Sequence, residues 1–178
     1  MAESWAIRPE RPEDAAQVEA LDNDGFGPGR FAKSAYRLRE GVDPETELSF
    51  VAVENGALVG SVRFWPILVG ASKSLLLGPL AVKSAERGRG IGIALMQAGI
   101  EKARTLGFST VLLVGDEAYY ARVGFSRLPQ GHMRFPGPVD RARMLGLSLQ
   151  PNALLDLNGA IGRARIDRPV CADGAPLG

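Results

Sequence analysis

The spacing of apolar and polar positions changes several times along the chain, and each change marks an element. Trp5-Ala6-Ile7-Arg8 is short and β-like, and Pro9 closes it. Arg11-Pro12-Glu13-Asp14 predicts a helix start, because proline suits a first turn and acids suit its positive end. Ala15, Val18, Ala20 and Leu21 supply that helix's apolar side, and Gly25-Phe26-Gly27-Pro28-Gly29 breaks the chain after it. A weaker helical pattern covers Phe31 to Glu40. Leu48 to Glu54 and Ala57 to Trp65 alternate as strands about Asn55-Gly56, a strong hairpin signal. Pro66 interrupts, extended chain runs on to Val69, and Gly70-Ala71-Ser72-Lys73 reads as a turn.

Leu75 to Val82 is a nearly continuous apolar run, followed by Arg87-Gly88-Arg89-Gly90-Ile91-Gly92. Ile93, Met96, Ile100 and Ala103 then recur at helical spacing, which predicts a helix from Ile91 to Leu106 that stops at Gly107. Thr110-Val111-Leu112-Leu113-Val114 reads as a strand buried on both faces. Strand, helix and strand in this order imply a parallel pair with a right-handed crossover. Asp116 is placed to cap a short helix from Glu117 to Val123, which Gly124 ends. Extended chain resumes at Phe125, and a last strand is expected from Arg143 to Leu149. A further helix is expected over Asn152 to Ala164, and residues 167–178 read as loose.

With 178 residues and 46% hydrophobic content, the chain suffices for one globular domain with a proper core. No apolar run approaches the roughly 18–20 residues of a membrane span. The N-terminus lacks the basic start and apolar core of a signal peptide, so a cytoplasmic location is expected. A single cysteine, Cys171, excludes an intrachain disulfide framework and a cysteine-built metal site. The net charge of +1 argues against general nucleic-acid binding. Its distribution is uneven: acids outnumber bases 12 to 6 in residues 1–60, while bases outnumber acids 7 to 4 in residues 61–120. A basic middle suits a phosphate ligand, and an acidic first third suits either a cationic substrate or plain solvation.

An apolar strand, a glycine-rich turn and a helix beginning inside the glycines make a phosphate grip. The first turn of a helix has backbone N–H groups without intrahelical partners, and its dipole favours negative charge. The glycines do not match two familiar alternatives. Ile91-Gly92-Ile93 stands where a P-loop needs Gly-Lys-Ser/Thr, and Gly88, Gly90 and Gly92 miss the spacing of a dinucleotide fingerprint.

The larger pattern is sharper. Leu80-Ala81-Val82, Arg87-x-x-Gly90-x-Gly92, the helix, Val111–Val114 and Tyr119-Tyr120-Ala121-Arg122-Val123-Gly124-Phe125 follow one another at short spacings. This closely resembles the GNAT superfamily of N-acetyltransferases over about residues 75–128. Gly115 through Phe125 is similar to predicted bacterial members of unassigned substrate. The resemblance implies an α/β (α+β) fold: a mixed, mostly antiparallel sheet with a central splay, flanked by helices. It implies a domain over 1–150, with 151–178 as a C-terminal extension, partly helical and then loose. It implies acetyl-CoA as cosubstrate and transfer of its acetyl group to a primary amine, by direct attack in a ternary complex. The diphosphate would rest on backbone N–H groups from Arg87 through Ile93 (Arg87, Gly88, Arg89, Gly90, Ile91, Gly92 and Ile93). The pantetheine arm would bond the backbone of Leu80, Ala81 and Val82, with an oxyanion donor at about Val82. Gly78-Pro79 suits an irregularity in that strand. Tyr120, four residues before Gly124, is where the family places the acid that protonates the leaving thiolate. A phenol near 10 keeps its proton at neutral pH.

No general base is assigned. Glu54, Glu47 and Asp116 are candidates, with Asp116 better suited to capping. No metal site is expected. The partner is a small-molecule or peptide amine, with neither nucleic acid nor membrane, and the extension could supply a homodimer contact. A rival reading keeps the grip without turnover, as an acyl-CoA-sensing or interaction domain; Tyr120 argues against it. Phe26, Phe31 and Tyr36 are candidates for a substrate pocket, as are Arg63, Phe64 and Trp65. His132 is read as a solvated loop residue, and Cys171 as inert.

Overall fold

In the computed structural model, residues 4–26 and 34–164 are described. Strand β1 (Trp5–Pro9) leads through a 3-10 turn, Pro12–Asp14, into helix α1 (Ala15–Phe26). Asp14 determines this entry. Its carboxylate accepts two bonds from the Arg8 guanidinium, at 2.6 and 2.9 Å, and one from the Arg11 backbone N–H at 2.8 Å. Helix α2 is only Ser34–Arg37, shorter than the predicted Phe31–Glu40, because the chain from Leu38 to Gly41 folds into turns; Phe31 lies outside the described residues.

Strands β2 (Phe50–Glu54) and β3 (Ala57–Val69) form the expected hairpin about Asn55-Gly56. β2 starts later than predicted, since Thr46–Leu48 takes a 3-10 turn. β3 runs straight through Pro66. Proline is tolerated there because, among the described residues, β4 is the only strand paired with β3 between Arg63 and Pro66: β2 pairs only to Val62, and β9 begins at Ile67.

Strand β4 (Ser72–Val82) precedes helix α3 (Ile91–Thr105), strand β5 (Thr110–Val114) and the short helix α4 (Glu117–Tyr120). Asp116 caps α4 through the Ala118 N–H, and Gly124 ends the following 3-10 turn at φ 99°. Two-residue strands β6 (Ser126–Arg127) and β7 (Met133–Arg134), then β8 (Met144–Ser148) and β9 (Gly159–Arg163), complete the chain. The helix expected over Asn152–Ala164 does not form. Asn152 sits at φ 59° and Gly159 at φ 123°, so turns lead directly into β9.

The main sheet runs β1-β2-β3-β4-β5-β8-β6, with β9 against the far end of β3 and parallel to β7. Only β4–β5 and β7–β9 are parallel. Helix α3 covers one face. Phe64 of β3 is fully buried against Gly99 so closely that no Cβ fits there. Leu75, Leu95, Met96, Val111 and Leu145 belong to the same core. A second cluster on the opposite face joins Leu38, Ile67, Leu76, Leu112, Met144 and Ile161. Helix α1 lies on this opposite face too: Gly25 meets Ala81, whose neighbour Val82 points to α3 at Gly92.

The Arg8 hydrogen bonds hold the Asp14 carboxyl at about 2, below its usual 3.8. The carboxylate therefore binds a proton less readily folded than unfolded. Its stabilisation is present above pH 3.8 and disappears as pH falls through about 2. Asp14→Asn is expected to cost about 2 kcal/mol at neutral pH and to flatten stability across that acid window, measured by urea unfolding. An unchanged midpoint would contradict it.

Candidate active site

The β4–β5 ladder has only two residue pairs, Leu75 with Val111 and Leu76 with Leu112, beside which the Ser74 hydroxyl bonds Thr110. Beyond them the strands separate. β4 departs at a bulge, where Gly78 and Pro79 together oppose Arg63 of β3, between the pairs Phe64–Leu77 and Val62–Leu80. This is the irregularity that Gly78-Pro79 predicted. The Trp65 indole N–H fastens the bulge by donating to the Gly78 carbonyl at 2.6 Å.

Past the bulge, β4 still pairs with β3. The Lys83 N–H donates to the Val59 carbonyl at 2.9 Å. Main-chain direction alternates along a strand, so the groups of Ala81 also turn to β3, while those of Leu80 and Val82 turn into the gap. Ala81 therefore lines the gap with its methyl group. The gap ends on the first turn of α3. Gly90, the residue before it, adopts φ 81°, and no side chain caps the helix. A side chain at Gly90 or Gly88 would meet nothing within 4 Å, so both glycines face open space.

These elements enclose a cleft of about 390 Å³. Every cofactor candidate read from the sequence lines it except Arg89: Leu80, Ala81, Val82, Arg87, Gly88, Gly90, Ile91, Gly92 and Ile93. Tyr120 lines it as well. Arg89 turns away. Its guanidinium bonds both oxygens of Glu54, at 2.9 and 3.0 Å, the Ser4 hydroxyl at 2.7 Å, and Glu86. This network ties the β2–β3 turn to the glycine loop and holds the Glu54 carboxyl down at about 2.

Gly25, Glu86 and Arg122 join the lining without having been singled out for it. Tyr119 lines it too, and its place beside Tyr120 makes it the alternative candidate for the acid. The rings meet edge to face at 5.1 Å and point to different parts of the cleft. The Tyr119 hydroxyl lies against Gly92 at the helix start, whereas the Tyr120 ring lies against Gly115 at the end of β5 and edge-on to Phe125 at 6.2 Å. Burial pushes the Tyr120 phenol up to about 12, with Tyr119 adding to the rise and Arg143 and Arg39 opposing it.

The candidate bases are engaged elsewhere: Glu54 with Arg89, Glu47 with Lys102 at 3.4 Å, and Asp116 in its cap. Part of the acidic first third is likewise neutralised, by Arg8 on Asp14, Arg63 on Glu10 and Arg89 on Glu54. It offers a cationic substrate less than its composition suggested. His132 is half-buried rather than solvated, with Nδ1 buried. Among the described residues no group of His, Cys and carboxylates could hold a metal, and no helix is long and apolar enough to cross a membrane.

A sequence model described as "Acetyltransferase (GNAT) family" matches residues 15–125, which span α1 through the turn after α4. The chain belongs to the GNAT family of acetyltransferases. Among GNAT relatives, the Escherichia coli N-acetyltransferase YhbS is 31% identical over 158 residues, covering 87% of this chain and 93% of the relative. A second E. coli N-acetyltransferase, YjhQ, is 33% identical over 129 residues, covering 70% of this chain and 71% of the relative. The crystal structure of YhbS in complex with CoA superposes with TM-score 0.79 at 28% identity, covering 92% of both chains. A GNAT acetyltransferase from Brucella melitensis in complex with acetyl-CoA gives 0.66 at 28% identity, covering 90% of this chain and 96% of that one. The architecture is thus the GNAT fold, a mixed and mostly antiparallel sheet flanked by helices.

A phenol that ionises at about 12 folded, against 10.0 unperturbed, disfavours the folded state as pH rises between those values. Tyr120→Phe is expected to flatten the loss of stability between pH 10 and pH 12, followed by denaturant melts at each pH. An alkaline limb identical to wild type would place the phenol at its ordinary value.

Proposed function

We propose that the protein transfers the acetyl group of acetyl-CoA to a primary amine, by direct attack within a ternary complex. One observation carries this: the backbone groups of Leu80 and Val82 face the β4–β5 gap, which ends on the uncapped start of α3. The residues present fit the cosubstrate. First-turn amides and the open faces of Gly88 and Gly90 suit a diphosphate, with Arg87 on the rim. Leu80 and Val82 lie two residues apart, about 7 Å along the strand, and offer donors and acceptors to an arm with two amides. Acetyl-CoA supplies an acyl group activated as a thioester.

The remaining chemistry belongs to the chain. The amine forms a bond to the carbonyl carbon as the carbon–sulfur bond breaks. An inward N–H, that of Val82 or Leu80, stabilises the developing oxyanion. Tyr120 holds its proton throughout the working range and donates it to the departing sulfur. The nitrogen's surplus proton leaves to solvent, or the amine arrives neutral, so no side chain need act as base. Among the described residues no activated nucleophile lines the cleft, which agrees with a mechanism lacking a covalent acyl-enzyme.

Two substitutions separate binding from chemistry. Tyr120→Phe is expected to lower kcat by about 10²-fold or more while leaving the calorimetric Kd for CoA within about twofold. Unchanged thiol release would remove Tyr120 from the acid's role. Gly90→Glu places a carboxylate where the diphosphate would rest and forces a side chain into the left-handed region. It is expected to abolish CoA binding in a chain that still unfolds cooperatively. Tight binding by that variant would overturn the grip. A thiol-release screen against an amine library, with mass identification of the product, tests the reaction itself; CoA binding with no release from any amine would favour a sensing domain.

A further inference from the structure

A second cavity, about 470 Å³, opens among β6, β7 and the loops that join them to β8. It shares no lining residue with the cleft. Its volume lies within the roughly 300–1,000 Å³ of small-molecule sites. Its floor is apolar: Leu128, Met133 and Met144 are buried, and Phe135 packs half-buried beside them. Two methionines give such a floor the adaptability to fit different apolar bodies.

The rim carries three guanidiniums, Arg127, Arg134 and Arg141, and among the described residues no carboxylate lines the cavity. Asp140 is the sole acid in the segment 127–144, and its side chain is turned back to accept the Ala142 N–H at 2.9 Å. Arg127 is held at 2.6 Å by Glu117, while Arg134 and Arg141 have no ion-pair partner among the described residues. Over an apolar floor, the guanidiniums of Arg134 and Arg141, unpaired among the described residues, form a complementary surface for a molecule with one anionic end and one apolar end. Arginine's planar fork matches carboxylate and phosphate oxygens alike.

We propose that this cavity is a second ligand site, which takes an apolar small molecule bearing a single carboxylate or phosphate. The site is independent of the acetyl-CoA reading, because none of its residues contributes to the grip. It is nevertheless next to the catalytic turn. Glu117, the partner of Arg127, is the first residue of α4, and the Gly115 N–H donates to the Arg143 carbonyl at 2.9 Å, two residues beyond Arg141.

The test uses the full chain with phenylacetate and phenyl phosphate as probes, read by calorimetry and thermal shift. Acetate, inorganic phosphate and 2-phenylethanol serve as controls that lack one end or the other. Binding is expected for one or both probes and for none of the controls, and the tighter probe identifies the preferred head group. Arg134→Gln combined with Arg141→Gln is expected to weaken that binding about tenfold or more, with CoA affinity and melting temperature unchanged. Phe135→Ala provides an uncharged second variant and should weaken it as well. Saturating CoA should leave the probe's Kd unchanged. The proposal fails if neither probe binds, if a control binds as well as its parent probe, if the arginine variant binds equally, or if CoA displaces the probe.

Discussion

Two residue pairs, Leu75 with Val111 and Leu76 with Leu112, are the whole backbone ladder between β4 and β5, closed at its outer end by the Ser74 hydroxyl on Thr110, and the cleft depends on that brevity. A ladder held in that register would reach Val114 opposite Gly78, and only a β4 that kept running beside the chain after β5 would have the main-chain groups of Leu80 and Val82 consumed. The bulge at Gly78-Pro79 prevents it by redirecting β4 while β3 continues to pair on the other side. β5 is in turn kept straight by five pairs with β8. One strand bends and its neighbour does not, so the sheet opens at its middle. Unpaired strand groups away from water are costly, which makes such an opening a place for a ligand with amides of its own.

Electrostatics reinforce this geometry. Three acids of the first third, Glu10, Asp14 and Glu54, are locked onto arginines that join one element to the next. Arg8 and Asp14 fasten β1 to the entry of α1, and Arg89 with Glu54 fastens the hairpin turn to the glycine loop. Near Tyr120, Arg39 and Arg143 act against Asp116, and burial of the phenol outweighs both arginines. The Tyr120 phenol thus keeps its proton because its surroundings are poorly solvated, as the acid proposed above requires, and its position at the end of β5 follows from the cap at Asp116.

Much of this was legible in the residues. The glycine loop, the uncapped helix start, the Asn55-Gly56 hairpin and the Gly78-Pro79 irregularity are local effects of backbone freedom, and the structure has each where the pattern predicts it. The segment Asn152–Ala164 was misjudged, because a helical reading of its apolar spacing ignored the positive φ at Asn152 and Gly159 and the open flank of β3 that accepts β9. Arg89 was read for its backbone N–H in the glycine loop, and its guanidinium was not legible: beside the local Glu86 it takes Glu54 and Ser4, which lie 35 and 85 residues away, a proximity that no local pattern carries.

The amino-acid sequence alone determined the elements around the cleft and the chemistry of its glycine turn, since these depend on contacts between near neighbours in the chain. Tertiary structure decided which side chains share the cleft. It decided which tyrosine faces the end of β5, which arginine is withdrawn into ion pairs, and that basic residues from β6 to β8 gather over one apolar floor. Those outcomes depend on strand register and on the angle between β4 and β5, which are set by the packing of residues far apart in the chain.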